Sequence, residues 1–219
     1  MKVLITAGST KTMIDQVRCI TNVFKGRTGA DMAEYFGANG HYVDLLTSNT
    51  DIKLMNNVMV LPHYKTYDDL FESMKKFITM KKYDVIIHSA AVSDYKPDGI
   101  FKPDMSSGEL ELECVSSATK VSSDHDELYI KMIPTEKIID KIRSEWGFEG
   151  TLVKFKLQVD MKDKELISVA QESRKASNAD IIVANCLEWA RERAYICDDN
   201  GHLNVKRCNL SKKLLEKIS

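Results

Sequence analysis

The chain has 219 residues, with 31 basic against 32 acidic side chains and a formal net charge of −1. That balance excludes a chain-wide basic field for nucleic acid and a polyacidic disordered tail. At 43% hydrophobic and 29% charged it has the composition of a globular protein, and no stretch approaches the roughly 18 uninterrupted apolar residues of a membrane span.

Taken along the chain, the pattern alternates strand and helix. Lys2–Ala7 is an apolar run that ends at Gly8, as a buried strand does. A helix over Thr28–Asn39 places Met32, Ala33 and Phe36 on one face and stops at Gly40, and His41–Thr47 follows as a strand. Thr66 is placed to cap a helix whose apolar face is Leu70, Phe71, Met74, Phe77 and Ile78, and Tyr83–His88 is the next strand. Thr135 is expected to cap a helix carrying Ile138, Ile139, Ile142 and Trp146. Leu152–Val159 is a strand, Asp163–Asn178 a helix with Leu166, Ile167, Val169 and Ala170 inward, and Ala179–Ala184 a further strand. Asp199-Asn200-Gly201 marks a hairpin turn between Ala194–Cys197 and His202–Val205. Ser211 is expected to cap a last helix with Leu214, Leu215 and Ile218. Continuous apolar strands alternating with helices predict one α/β domain over 1–219. It is three-layered and Rossmann-like, a mostly parallel sheet with helices on both faces and a small antiparallel hairpin.

Five cysteines (Cys19, Cys114, Cys186, Cys197, Cys208) with no C-x-x-C, and five histidines in no H-x-H group, support neither a disulfide framework nor a structural metal. The apolar run after Met1 is too short for a signal peptide. The expectation is a cytoplasmic protein.

Two stretches break the alternation. Nineteen residues separate Gly8 from Thr28, and the chain between Ala90 and Tyr129 is polar, with Pro97, Gly99, Pro103 and Gly108. Both follow apolar strands, so both emerge at the carboxyl edge of the sheet, where open α/β folds bind ligands. Gly26-Arg27-Thr28-Gly29 opens the helix after the first strand, and glycines there let a backbone approach a phosphate. A dinucleotide site, a phosphate loop of another kind and a plain helix start are all open. Against the first, the spacing is G-x-x-G and the second strand ends Leu46-Thr47-Ser48-Asn49 with no acid for a ribose hydroxyl.

Within the first insertion, Ile14 and Val17 are spaced to pack inward, leaving Asp15, Arg18 and Asn22 available. The Asn22 amide serves equally as an oxyanion donor or a cap. Asp94, in Ser89-Ala90-Ala91-Val92-Ser93-Asp94, faces the mouth of the sheet either as a ligand of hydrated magnesium or as a solvated carboxylate. Lys120, among loop hydroxyls, either neutralises charge on phosphorus or is one lysine among many.

T-A-G-S-T (6–10), I-D-x-V-R-x-I-T-N (14–22), G-x-x-G (26–29), A-A-V-S-D-Y (90–95), K-V-S-S followed by D-E-L-Y-I-K-M (120–132) and A-D-I-I-V-A-N (179–185) occur in this order. Together they resemble the phosphopantothenate–cysteine ligase family in its stand-alone bacterial form, from Lys2 to Ile218. The resemblance implies a ligase of coenzyme A synthesis. CTP, or ATP, activates the 4′-phosphopantothenate carboxylate as an acyl-nucleotidylate, which the amine of L-cysteine then attacks. It implies Asn22 and Lys120 as catalytic residues. Gly8, Gly26, Gly29, Asp94, Phe155, Arg174 and Lys175 are implied at the nucleotide, with Mg2+ at Asp94, and Arg18, Ala90, Ala91 and Asn185 at the substrate.

The resemblance also implies a homodimer, with residues 98–131 near the partner's site. The sequence departs from the family pattern at Phe24, where a hydroxyl is usual, at Lys154-Phe155-Lys156 for G-F-A, at Ser173 and Ser177 for two lysines, and at Cys186 for an acid. Cys186 is expected to be a buried small residue. Two other classes stay open: a nicotinamide-dependent oxidoreductase, although none of the eight tyrosines has a lysine four residues on, and a non-catalytic nucleotide-binding module.

Overall fold

The computed structural model describes residues 1–53, 57–104, 107–114 and 120–219. In chain order the elements are β1 (Lys2–Ala7), β2 (Lys11–Met13), β3 (Cys19–Thr21), α1 (Arg27–Ala38), β4 (Tyr42–Thr47), β5 (Val58–Val60), α2 (Tyr67–Met80), β6 (Val85–His88), β7 (Tyr95–Pro103), β8 (Leu110–Cys114), β9 (Tyr129–Pro134), α3 (Ile138–Ser144), β10 (Thr151–Gln158), α4 (Asp163–Ala176), β11 (Ile181–Cys186), β12 (Arg193–Asp198), β13 (Gly201–Lys206) and α5 (Leu210–Ile218).

Eight strands form the central sheet in the order β13-β12-β11-β10-β6-β1-β4-β5. The six from β11 to β5 run parallel, and the β12–β13 hairpin adds antiparallel to one edge. Strand residues alternate between two cores because successive side chains leave opposite faces. Val3, Ile5 and Ala7 meet Met32, Ala33 and Phe36 of α1 and Leu210 and Leu214 of α5. On the other face Leu4, Leu46, Ile86 and Leu152 meet Leu70, Met74 and Ile78 of α2 and Ile138, Ile139 and Ile142 of α3. Leu166 and Ala170 of α4 cover Ile182, Ala184 and Cys186 beside them. Both faces are covered, which is why these strands read as unbroken apolar runs. The Rossmann-like expectation holds.

Where the sequence was irregular, the fold adds strands. The Gly8–Thr28 insertion is a β2–β3 hairpin, and the second is a separate three-stranded sheet, β8-β7-β9. Two expected caps do not form. Thr66 and Asp69 make a reciprocal capping box on α2, but α3 and α5 start without a side-chain cap, at Lys137 and Asn209. Thr135 instead donates its hydroxyl to the Ser93 carbonyl at 2.7 Å, tying β9 to the loop after β6, and Ser211 lies inside α5. No helix among the described residues is long and apolar enough to cross a membrane.

Candidate functional site

The chain leaves β1 toward β4 and β5 on one side, then returns to β6 on the other and continues outward through β10 and β11. The strand order therefore reverses between β1 and β6, and in open α/β sheets ligands bind outside the carboxyl ends of the strands at such a point. Gly8 and Ser9 follow β1 there, and Ser89, Ala90 and Ala91 follow β6. The two segments are joined by backbone bonds from Ala91 N–H to Gly8 O at 2.8 Å and from Thr10 N–H to Ala91 O at 3.1 Å. The Ala90 N–H donates to Thr6 Oγ1 at 3.2 Å. With those backbone groups committed, what Ala90 and Ala91 offer a ligand is small size rather than donors.

The helix at this switch point is seated by glycine. Gly26 has φ 77°, and a Cβ there would lie 2.3 Å from the Gly8 nitrogen; a Cβ on Gly29 would lie 2.6 Å from Ala7 Cβ and 2.8 Å from Ser89 Oγ. The G-x-x-G spacing thus brings the N-terminus of α1 against the end of β1. No side chain caps that N-terminus and no acid stands in its first turn, so its free N–H groups and partial positive charge face outward.

A residue that sequence reasoning missed completes this end. Arg207, in the turn after β13, donates to Thr28 Oγ1 in the first turn of α1. Burial pulls its guanidinium below its ordinary range, with only Asp31 opposing. Desolvation in turn raises the Asp31 carboxyl, opposed by Arg207 and Arg27. Two arginines beside the positive end of a helix repel both it and each other, and the arrangement suits a bound anion. Nothing near Arg207 in the sequence signals this, because the β12–β13 hairpin carries it there.

The β2–β3 hairpin ends in Asn22, which is exposed; its carbonyl accepts from Ser9 Oγ at 3.4 Å. The expected inward packing of Val17 is reversed. Val17 is 67% exposed, whereas Asp15 is 1% exposed. The Asp15 carboxylate accepts from the N–H groups of Val17, Arg18 and Val121 and from two nitrogens of the Arg18 guanidinium. These donors, the guanidinium foremost, hold the carboxyl far below the usual carboxylate range. Arg18 also donates to the Val121 carbonyl at 2.7 Å. Its guanidinium thus bonds Asp15 and Val121 while the side chain stays 40% exposed.

Lys120, next in the chain to that buried Val121, is exposed. Residues 115–119, including Ala118 and Thr119 of its loop, lie outside the described residues. Asp94 is exposed at the mouth, its carbonyl accepting from Thr135 N–H at 2.9 Å. Among the described residues no group of three or more His, Cys, Asp or Glu gathers to hold a metal. A lone carboxylate fits magnesium carried in mainly by phosphate oxygens, not a protein cage.

Phe155 and Asn185 project from the same face as Ala7, farther along the carboxyl edge. Phe155 packs against the core under α1. Asn185 is 6% exposed, and its Oδ1 has no hydrogen-bond partner among the described residues, so a buried polar group there awaits one. Cys186 is buried, as expected, and bonds Glu188 at 2.8 Å.

Arg174 and Lys175 are not brought to this edge. They occupy the last turn of α4, at the amino edge of the sheet. Arg174 is buried and donates to Gln171 Oε1, the carbonyls of Ala179 and Asp180, and Asp199. It is spent on closing the fold, and Lys175 points to solvent beside it. Ser173 and Ser177 share that turn. Lys154 reaches across from β10 to bond Ser173 O at 3.0 Å and Ser177 Oγ at 2.8 Å. Burial brings the Lys154 ammonium down to about 8. Burial, together with Lys154, brings the neighbouring His88 down to about 4.

The chain matches the DNA/pantothenate metabolism flavoprotein C-terminal domain family over residues 1–218. It is 30% identical to the coenzyme A biosynthesis bifunctional protein CoaBC of Thermococcus kodakarensis over 215 residues, 97% of this chain and 46% of that protein. It is likewise 30% identical to CoaBC of Methanocaldococcus jannaschii, over all of this chain and 46% of that protein. The chain thus spans about half the length of the relatives it matches. Its fold superposes with a TM-score of 0.87 and 32% identity on the DNA/pantothenate metabolism flavoprotein from Streptococcus pneumoniae, covering 100% of this chain and 98% of that one. A mostly parallel Rossmann-like sheet, a glycine-seated helix at its switch point and these matches agree, and the chain belongs to the DNA/pantothenate metabolism flavoprotein C-terminal domain family.

Proposed function

We propose that this chain is the phosphopantothenate–cysteine ligase of coenzyme A biosynthesis, joining 4′-phosphopantothenate to L-cysteine through an acyl-nucleotidylate made from CTP or ATP. The observation that carries the proposal is the unmatched positive charge at the start of α1. An uncapped, glycine-seated N-terminus with Arg27 and Arg207 beside it, and no acid in its first turn, fits a polyphosphate at the switch point. The CoaBC relatives support the same reading.

In the first step a carboxylate oxygen attacks the α-phosphorus and pyrophosphate leaves. Negative charge gathers at one centre, and the α1 N–H groups, Arg27, Arg207 and Lys120 are the parts that offset it. Asp94 would help to hold a magnesium ion carried in by the phosphates, which would supply further neutralisation. In the second step the cysteine amine attacks the acyl carbon, loses a proton and expels the nucleoside monophosphate. Asn22 donates its amide to the intermediate, and Asn185 provides a buried polar contact. The substrates supply both nucleophiles, so no serine or cysteine triad is required. A homodimer belongs to the same proposal. The β8-β7-β9 sheet exposes Tyr95, Leu110, Leu112 and Tyr129, an apolar surface suited to a second copy.

The test mixes the protein with 4′-phosphopantothenate, cysteine, magnesium and either nucleotide. Pyrophosphate release that depends on 4′-phosphopantothenate is expected. Nucleotide binding without release, with both CTP and ATP, would leave a binding module instead. Asn22→Asp is expected to lower turnover about a hundredfold, the effect of losing one oxyanion donor, with an unchanged melting temperature.

A further inference from the structure

Asp15 is the most heavily bonded carboxylate in the described structure, and nothing in the proposed chemistry uses it. It lies at the turn of the β2–β3 hairpin and accepts five hydrogen bonds, at 2.6 to 3.1 Å. Four come from Val17 and Arg18 beside it. The fifth comes from the Val121 N–H, 106 positions on in the sequence. Arg18, held by Asp15 through two nitrogens, then takes the Val121 carbonyl at 2.7 Å. Both backbone groups of one residue are therefore occupied by a single ion pair, and the Val121 side chain is buried at the same place.

A surface turn has no need of a buried carboxylate for its own sake. Taking the Asp15 charge out of water is costly, and a local hydrogen-bonded turn forms without it. What the pair adds is a two-point attachment for a distant segment. That segment includes Lys120, whose exposed side chain follows directly from the anchored backbone, and the hairpin it is attached to leads into Asn22. The two proposed catalytic side chains are thus mounted on one fixture.

We infer that Asp15 and Arg18 form a clamp that holds the Lys120 loop on the hairpin through Val121, with the buried Asp15 a positioning residue that touches no substrate. This rests on the ligase reading only for its effect on catalysis; the clamp itself is a statement about the fold. Asp15→Asn keeps the shape of the side chain but presents an amide N–H to a guanidinium and a backbone N–H, so donors face donors. Arg18→Gln is the milder opening, which removes the grip on the Val121 carbonyl.

Two measurements on the full chain separate the clamp from the chemistry. Amide hydrogen exchange needs no substrate. Asp15→Asn is expected to speed exchange at Val121 at least tenfold, while amides of β1 and β6 keep their protection. Pyrophosphate release then tests consequence. Turnover of Asp15→Asn is expected to fall at least tenfold, and the double variant with Lys120→Ala to be no slower than Lys120→Ala alone. If Asp15→Asn does not fold, the same pair of measurements on Arg18→Gln decides. Unchanged exchange at Val121, or losses that multiply in the double variant, overturns the inference. Absence of pyrophosphate release from the unaltered protein would instead remove the ligase reading and leave the exchange result standing.

Discussion

Two groups of cations at opposite edges of the central sheet are used differently. At the amino edge Arg143 meets Asp180 at 2.6 Å, Lys81 meets Asp44 at 2.7 Å, Lys217 meets Asp198 at 2.6 Å, and Arg174 reaches Asp199. Around the switch point at the carboxyl edge, Lys25, Arg27, Lys120 and Arg207 form no ion pair among the described residues. Matched charge is structure, whereas unmatched positive charge beside a helix N-terminus is a place for an anion. A near-neutral chain therefore assembles a locally cationic site without a basic surface.

The contrast is most directly broken at Arg174. Its side chain is 5% exposed, and replacing it with Met leaves the carbonyls of Ala179 and Asp180 without their donor. A loss of roughly 3 to 4 kcal/mol is expected by urea unfolding, with nucleotide affinity unchanged in the protein that remains folded. Weakened affinity without lost stability would put Arg174 back at the nucleotide and erase the distinction between the edges.

Between the edges, His88 bonds Thr6 at 2.9 Å and faces Lys154 across paired strands. The unfolded histidine takes its proton near pH 6.5, while the folded one is held down to about 4. The unfolded chain thus binds more protons in that interval. Stability is fully present above pH 6.5, falls as the pH drops, and has lost this contribution below 4. The depression corresponds to roughly 3 kcal/mol at most. His88→Gln should flatten the stability curve between pH 6.5 and 4. An acid limb of undiminished slope in that variant would assign the loss to other groups.

How much of this was legible in the sequence follows the range of the forces involved. The parallel strands were legible because burial on both faces writes itself into adjacent residues: Val3 to Ala7 and Ile181 to Cys186 are apolar runs with few interruptions. The G-x-x-G was legible because close approach of backbone leaves a local mark. Asp15 against Val17 was not, since hydrophobic spacing said Val17 goes in. Asp15 is drawn in instead by Arg18 beside it and by Val121 far along the chain. Arg174 and Arg207 were misjudged and missed for one reason. Each is positioned by the β12–β13 hairpin, whose tip brings Asp199 to the first and whose return delivers the second to Thr28. Sequence proximity to a motif made Arg174 look like a ligand, and distance from any motif hid Arg207.

Arg207 gives the smallest effect and the finest test of the contrast. Arg207→Gln retains a donor for Thr28 but removes the charge. If the guanidinium is there for an anion, CTP or ATP should bind about tenfold more weakly by calorimetry, equivalent to about 1.4 kcal/mol, and binding should depend less steeply on salt. Stability should hold or rise, because a buried cation next to the positive end of α1 is unfavourable without its ligand. The exposed neighbour Lys206 is the control, and its replacement with Gln should leave affinity close to wild type. A variant that binds nucleotide normally yet melts earlier would make Arg207 a strut between β13 and α1, and would move it into the class that Arg174 defines at the opposite edge.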